Sequence, residues 1–371
     1  MSAPRDRPKE KKVLSAEGSG VKLNISISKT KIVERPELFQ RYDVQNYDLV
    51  QGSLFSEKFL PLIPKGTPEY VDRGEKYVER ITRALYHFKQ CALIGPSGTG
   101  KTHIVYLVAE ISGLPLWEIN CGLQTSAYDL FGRYVGLGKD NWIDGQIVSW
   151  CRYGGILYLD EANMMKQDVA TRLNPVLDTR GHLVLTEKDN EIIPRHPAGY
   201  VVISMNPYSA EFAGTKPLNA AFRRRMSVWI DFDYLSVGDS VSEDEIALIE
   251  KKGRVTRQIA TNIVRVGAEL RRQYKANEIP YGPSVGDLVN WAVLSSDKVP
   301  PEKAAEETII AMTSDNGEVQ ESVRRVVQMV FSNASIGRRL TDEEKSQDPQ
   351  QERIAASLSS AFESEYKSQD F

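Results

Sequence analysis

The sequence predicts an α/β fold in which a five-stranded parallel sheet has helices on both faces and is followed by a smaller all-helical domain. Five short apolar runs alternate with helical patterns and glycines, which is typical of a parallel sheet covered by helices. After Ser240 these runs stop, and apolar residues recur at helical spacing instead. With 371 residues, the chain is long enough for two domains and extensions.

The predicted strands are short apolar runs bounded by glycine or polar residues. They cover residues 91–95, 114–120, 154–160, 199–205 and 227–232. Two later segments have apolar residues every three or four positions, as on one face of a helix. These positions are Ile259, Ile263, Val266 and Leu270 in the first segment and Val323, Val326, Val327 and Val330 in the second. We therefore predict a doubly wound sheet followed by a helical lid.

Four segments follow from these patterns. We expect a polar N-terminal extension at 1–69 with a short strand at 21–27, an α/β domain at 70–240, a helical lid at 241–337 and a flexible polar C-terminal tail at 338–371. Partner docking by the tail is the alternative to a simple solvated appendage. The sequence contains no repeated unit.

Composition bounds the class of protein. A hydrophobic fraction of 41% and a charged fraction of 26% are typical of a soluble globular protein. The net charge of -3 and the pI near 6.0 provide no overall basic field for nucleic acid. The charged N-terminal residues are not followed by an apolar segment, and no apolar run approaches the roughly 18 residues needed to span a bilayer. A cytoplasmic protein without a membrane span is expected.

The cysteines predict neither disulfides nor a metal site. Cys91, Cys121 and Cys151 lie in largely apolar stretches, and none belongs to a CxxC pair. Buried reduced thiols are therefore expected.

A glycine-rich loop carries the strongest motif. GPSGTGKT, at Gly95–Thr102, follows a predicted strand and precedes a helical stretch, which is the context of a phosphate-binding P-loop. Its glycines allow backbone N–H groups to converge on phosphate oxygens, and the following helix directs its positive end at the anion. A glycine turn that binds nothing is the rejected alternative. The residues expected to bind ATP are Gly95, Pro96, Ser97, Gly98, Thr99, Gly100, Lys101, Thr102 and His103.

Two acidic residues end the third predicted strand. Asp160 is expected to bind Mg²⁺ together with the Thr102 hydroxyl, and Glu161 to polarise the water that attacks the γ-phosphate. Paired carboxylates at the end of an apolar strand are unfavourable unless a cation or a reaction uses them. Taken alone, the pair is equally consistent with a helix N-cap.

Asn206 and an arginine run complete the candidate catalytic set. Asn206 follows the fourth predicted strand and is expected to position the attacking water, although Asn-Pro is also an ordinary turn signal. Arg223–Arg225 lie at the end of a predicted helix. They are either a solvated helix end or the source of an arginine finger, which is commonly supplied by a neighbouring subunit.

With these elements in this order, the chain resembles the AAA+ ATPases over residues 70–335. GPSGTGKT is similar to Walker A, ILYLDE to Walker B, Asn206 to sensor 1 and the arginine run to the finger. Two stretches are similar to features of the MoxR branch. Residues 129–155 resemble the helix-2 insert, placed at about 126–146, and residues 181–200 resemble the hairpin before sensor 1. The chain is most similar to CbbQ/NorQ-like members, and midasin and dynein-like modules are similar in this region.

The chain also departs from the family pattern. The finger arginine precedes an aromatic residue in the family, so Arg225 before Met226 is the best match and Arg224 the next. Gly286 stands where the lid of the family carries a sensor 2 arginine. Asn120 resembles the residue that switches the catalytic glutamate.

The resemblance implies a homo-hexameric, ATP- and Mg²⁺-dependent chaperone that remodels a client protein. By this resemblance, the partner commonly carries a von Willebrand factor A domain, and remodelling activates an enzyme or inserts its metal cofactor. A helicase-type nucleic-acid motor is the alternative, but residues 181–200 contain Lys188 and Arg195 against Glu187, Asp189 and Glu191. A small-molecule kinase would leave the arginine run, Asn206 and the lid without a joint explanation.

Overall fold

The computed structural model describes residues 61–72, 74–122, 125–136, 141–178, 180–207 and 218–332. The strand expected at 21–27 and the tail at 338–371 lie outside these residues. Contacts between residues group the chain into two compact units. The first includes described residues of 1–70, 75–95 and 101–231, and the second those of 71–74, 96–100 and 232–371.

The first unit contains the predicted five-stranded parallel sheet. The described strands of this unit are β1 Gln90–Ile94, β2 Leu116–Asn120, β3 Gly132–Tyr134, β4 Trp142–Asp144, β5 Gly155–Asp160, β6 His182–Leu185, β7 Glu191–Pro194, β8 Gly199–Met205 and β9 Trp229–Asp231. The sheet has the order β2-β5-β8-β1-β9, and every neighbouring pair is parallel. This arrangement confirms the fold class.

Burial of β5 shows that both faces of the sheet are covered. Successive side chains of a strand point to opposite faces. Ile156 and Tyr158 on one face and Leu157 and Leu159 on the other are all buried. Such two-sided burial explains why the central strands are continuous apolar runs rather than alternating ones.

Helices and turns connect these strands. Those of the first unit are α1 Tyr77–Phe88, α2 Lys101–Ser112, α3 Ala127–Phe131, α4 Gln146–Tyr153, a 3₁₀ turn at Ala162–Met164, α5 Gln167–Leu177 and α6 Ala220–Arg223. Helix α1 is amphipathic and buries Val78, Ile81 and Leu85. A left-handed residue, Lys89, ends it and leads directly into β1.

Two antiparallel hairpins extend the α/β unit, β3 with β4 and β6 with β7. Arg152 at the end of α4 joins them, because its guanidinium lies 3.0 Å from Asp144 of β4 and 2.7 Å from Glu191 of β7. Lys188 adds a second connection through Glu191 at 2.9 Å and the ring of Trp142. Ion pairs of Arg152 with Asp144 and Glu191 therefore link the two hairpins.

The second unit is helical. Its described helices are α7 Glu243–Gly253, α8 Arg257–Lys275, α9 Val285–Ser296, α10 Pro301–Ala305, a π-turn at Glu306–Ile310, α11 Ala311–Thr313 and α12 at 317–332. Hydroxyls of Ser242, Thr256 and Ser284 accept the backbone N–H three residues later and cap α7, α8 and α9. The two predicted apolar faces pack into one core around Trp291.

Cys91, Cys121 and Cys151 are buried and free, as expected from their apolar surroundings. Burial raises the pKa of each thiol to about 12, so these cysteines remain protonated and unreactive near neutral pH. No helix among the described ranges combines the length and apolarity needed to cross a membrane.

Candidate functional site

The glycine-rich loop connects β1 to α2. Gly98 and Gly100 have φ angles of 74° and 84°, a left-handed backbone that glycine adopts without the steric cost of a side chain. Thr99 closes the turn, because its hydroxyl donates to the Pro96 carbonyl at 2.9 Å. Helix α2 begins at Lys101, so its first N–H groups have no acceptor within the helix. N–H groups at a helix start suit an anion.

Lys101 is a buried cation beside the end of the sheet. Its Nζ donates to the Gly95 carbonyl at 2.7 Å and to Asn206 Oδ1 at 3.2 Å, and 7% of the residue is exposed. Burial lowers the pKa of Lys101 to about 8, although the negative charges of Asp160 and Glu161 oppose the change. A negatively charged ligand would offset this desolvation, so the position suits an anion.

Asp160 ends β5 among hydroxyl groups. Thr102 Oγ1 lies 3.3 Å from Asp160 Oδ2 and 3.0 Å from the Tyr158 hydroxyl. Ser204 of β8 donates to Asp160 Oδ1, which also accepts the N–H of Glu161 at 3.1 Å. A carboxylate with an adjacent hydroxyl is the hard oxygen donor set that Mg²⁺ prefers. Together with phosphate and water oxygens, Thr102 and Asp160 therefore fit the predicted metal.

Within the described residues, no group of three or more His, Cys, Asp or Glu side chains forms a self-contained metal site. This agrees with the chemistry of Mg²⁺, which is usually held by one or two carboxylates plus substrate phosphates and water.

Glu161 has an unusual backbone. Its φ of 52° and ψ of 44° place it in the left-handed region, and its side chain is exposed. Such a conformation costs a non-glycine residue about 1–3 kcal/mol and is concentrated at functional sites. The bond from its N–H to Asp160 and the following 3₁₀ turn at Ala162–Met164 hold this geometry. Glu161 occupies the N-cap position of this turn, but its side chain makes no capping hydrogen bond.

The structure places Asn206 and His103 differently with respect to Lys101. Asn206 directly follows β8 and contacts the Lys101 ammonium. The His103 ring instead faces the segment before α1, where Nε2 lies 2.8 Å from the Pro68 carbonyl and the ring lies 5.9 Å from that of Tyr70. Only the backbone of His103 therefore remains as a candidate for phosphate contact.

The arginine run occupies three different environments. Arg223 stacks over the Trp229 ring at 4.6 Å, and Arg224 is exposed. Arg225 lies 3.5 Å from Asp178 and donates to the Ala221 carbonyl at 2.7 Å. Hydrogen bonds from Arg180 lower the pKa of Asp178 to about 2, with a smaller contribution from Arg225, so this partner stays anionic.

Tyr158 and Ser204 lie beside Asp160 but were not among the predicted site residues. The available signal was weak: each is a polar residue inside an otherwise apolar strand, and Tyr158 lies on the same face of β5 as Asp160. Asn120 ends β2 in register with Asp160, but its side chain is exposed.

Comparisons with known proteins show which family the chain matches. Residues 90–226 match the family described as AAA domain, dynein-related subfamily, and residues 245–330 match the CbbQ/NirQ/NorQ C-terminal family. Denitrification regulatory protein NirQ of Pseudomonas aeruginosa is 30% identical over 268 residues, covering 71% of this chain and 97% of NirQ.

Two further relatives have similar coverage. Protein CbbQ of Hydrogenophilus thermoluteolus is 29% identical, covering 71% of this chain and 98% of CbbQ. Protein NorQ of Paracoccus denitrificans is 29% identical, covering 71% of this chain and 94% of NorQ. The chain therefore belongs to the CbbQ/NirQ/NorQ family of MoxR-type AAA+ ATPases.

Proposed function

We propose that the chain hydrolyses Mg²⁺-bound ATP at subunit interfaces of a homo-hexameric ring and uses this reaction to remodel a client protein. The observation that carries the proposal is the convergence of Lys101, Thr102, Asp160 and Asn206 where β1, β5 and β8 end. Ligands of open parallel sheets bind at this edge. Membership of an ATPase family supports the same conclusion.

Each residue has a separate role in the proposed reaction. Backbone N–H groups of residues 98–102 bind the triphosphate, and the Lys101 ammonium contacts its β- and γ-phosphates. Thr102 and Asp160 would hold Mg²⁺, and the ion would supply positive charge to offset the negative charge that develops on the phosphate oxygens. Glu161 accepts the proton of the attacking water, and Asn206 orients that water.

The chain's own geometry supports these roles. The left-handed backbone of Glu161 turns the chain immediately after Asp160. The Asp160 carboxylate accepts hydrogen bonds from Thr102 and Ser204, which keeps it oriented. Glu161 remains exposed and therefore accessible to water.

We propose Arg225 as the finger that a neighbouring subunit receives, with Arg224 beside it. The contact of Arg225 with Asp178 does not exclude this role, because ion pairs of this exposure contribute only about 0–1 kcal/mol and can be exchanged. Arg225→Ala should reduce turnover about 1,000-fold, since the finger stabilises charge in the transition state. Affinity for ATP should change little, and phosphate release and nucleotide titration measure the two quantities.

Mixing tests whether the finger acts across subunits. Arg225→Ala combined with Lys101→Met should regain part of the lost turnover, because some interfaces then pair an intact loop with an intact finger. Arg224→Ala measures the contribution of the neighbouring residue, and Arg223→Ala, which removes only the stacking on Trp229, is the matched control. Absence of any rescue at all mixing ratios would argue against a shared active site.

The two linked hairpins support a protein client. The hairpins expose large apolar side chains to solvent. These are Tyr134 and Ile143 of the first hairpin, Val135 directly after β3, and Ile192 of the second hairpin. Contacts with a polypeptide use exposed apolar side chains of this kind. Arg152 pairs with Asp144 of the first hairpin and Glu191 of the second, so the two hairpins lie next to each other.

Charge disfavours the nucleic-acid alternative. Glu187 of the second hairpin pairs with Arg172, and Lys188 pairs with Glu191. Phosphate binding requires several available lysines or arginines. The proposal includes a von Willebrand factor A partner and metal-cofactor insertion on the basis of family resemblance, and a cytoplasmic location on the basis of the sequence.

A further inference from the structure

Tyr234 contacts the glycine-rich loop within the second unit. It is 2% exposed, and its hydroxyl lies 3.1 Å from the Ser97 carbonyl oxygen and 3.3 Å from the Gly282 carbonyl oxygen. Burial raises the pKa of Tyr234, with a smaller contribution from Tyr274. The hydroxyl therefore stays protonated near neutral pH and acts as the donor to these carbonyls.

A buried ion pair fixes the Tyr234 ring. The guanidinium of Arg271 lies 4.8 Å from the ring centroid and pairs with both carboxylate oxygens of Glu245, at 2.9 and 3.1 Å. Arg271 also donates to the Pro283 carbonyl at 2.7 Å. Both charged side chains are fully buried. Cation–π attraction is strongest when the cation is desolvated, so the Tyr234 ring has little freedom to move.

The same segment approaches the loop at Gly98. A Cβ added to Gly98 would lie 2.3 Å from the Ser284 Cβ, a distance that no side chain at this position could tolerate. Gly98, which makes this contact with Ser284, directly follows Ser97. Residues 97 and 98 are therefore held by Tyr234 through a hydrogen bond and by Ser284 through close packing.

Through the planar peptide bond, the contact of Tyr234 with the Ser97 carbonyl also affects the Gly98 N–H. In a trans peptide, the C=O of one residue and the N–H of the next lie in one plane and point in opposite directions. No cis peptide is present among the described residues. A hydrogen bond that fixes the Ser97 carbonyl therefore also fixes the direction of the Gly98 N–H, away from Tyr234.

We propose that Tyr234 is a positioning residue that orients the Gly98 N–H for the phosphates of ATP. The inference rests on the proposed function, because it assumes that this loop binds the triphosphate. Gly286, in the first turn of α9, stands where the family carries a sensor 2 arginine. A glycine has no side chain that could contact the loop or the nucleotide. Backbone N–H groups bind the nucleotide in the ground and transition states alike, so the effect falls on binding rather than on kcat.

The test is Tyr234→Phe, which keeps the ring and removes the hydroxyl. Loss of one net hydrogen bond is worth about 1 kcal/mol, or about fivefold in affinity. The Kd of a non-hydrolysable ATP analogue and the KM for ATP should both rise about fivefold, with kcat unchanged. Thr313→Val, which removes a buried hydroxyl that donates to the Ile309 carbonyl at 2.6 Å in the same unit, is the control with unchanged Kd and KM.

Hydrogen exchange of the nucleotide-free protein provides a second readout. Amides of residues 97–100 should exchange faster in Tyr234→Phe than in Thr313→Val. Equal exchange and equal Kd in the two variants, with the parent protein binding nucleotide normally, would overturn the role of Tyr234 alone. A parent protein that binds no nucleotide would overturn the proposed function, and this inference with it.

Discussion

Lys101→Met should abolish nucleotide binding and at the same time stabilise the nucleotide-free protein. The ammonium is expected to contact two phosphates, and charge-assisted hydrogen bonds contribute about 1.5–3 kcal/mol each. Affinity for ATP should therefore fall by at least about 100-fold. Methionine keeps the length of the side chain, so the loss reports the charge rather than the packing. Titration with a fluorescent ATP analogue measures it.

The gain in stability follows from the lowered pKa of Lys101. Each unit of pKa shift corresponds to about 1.4 kcal/mol, so a change from 10.5 to about 8 corresponds to about 3 kcal/mol. Below pH 8 the lysine is protonated in both the folded and unfolded states, and the folded state carries the full cost of the buried charge. Between pH 8 and pH 10.5 the folded state loses its proton first, and the cost disappears.

Urea unfolding without nucleotide tests this dependence. Lys101→Met should exceed the parent in free energy of unfolding at pH 7, and the difference should shrink to near zero as the pH approaches 10.5. Lys166→Met, at an exposed position of the same unit, should differ little from the parent at any pH. An advantage of Lys101→Met that does not depend on pH would show that burial of charge is not its origin.

Glu161→Gln should retain ATP and lose turnover. The amide has nearly the shape of the carboxylate but cannot accept a proton, and loss of a general base costs about 100- to 10,000-fold in rate. Single-turnover hydrolysis measures the chemical step, and nucleotide titration measures binding. Asp168→Asn changes an exposed acid in the first turn of α5 and should keep normal turnover.

The same variant can identify the client. A ring of Glu161→Gln protein held in ATP should retain a bound polypeptide through its hairpins, whereas Lys101→Met should not. Equal hydrolysis by Glu161→Gln and the parent would remove Glu161 from the role of base. Turnover that rises with DNA rather than with a retained protein would favour the nucleic-acid motor.

Most of the sheet could be predicted from local sequence. The boundaries of β8 agree at both ends, because every residue of this central strand is buried. At the edge, the predicted strand 227–232 shortens to Trp229–Asp231, since it has a partner on one side only. Strand β2 begins at Leu116, after Pro115, which has no N–H to donate to a neighbouring strand.

The surroundings of the site were harder to predict than its motifs. GPSGTGKT and ILYLDE are local patterns with a known geometric reason, so the sequence alone identifies Lys101, Thr102 and Asp160 as site residues. Tyr234 and Ser97 are 137 residues apart in the chain, and no local spacing connects them. The left-handed backbone of Glu161 was equally hidden, because it is uncommon in residues other than glycine and no glycine marks the position.

Crystals grown with a non-hydrolysable ATP analogue and Mn²⁺ in place of Mg²⁺ test the central claim most directly. Anomalous scattering locates Mn²⁺ independently of the protein atoms. The triphosphate should lie on the backbone N–H groups of residues 98–102, with Mn²⁺ beside the Thr102 hydroxyl and the Asp160 carboxylate. A loop without triphosphate, or a metal ion remote from Asp160, would contradict the account.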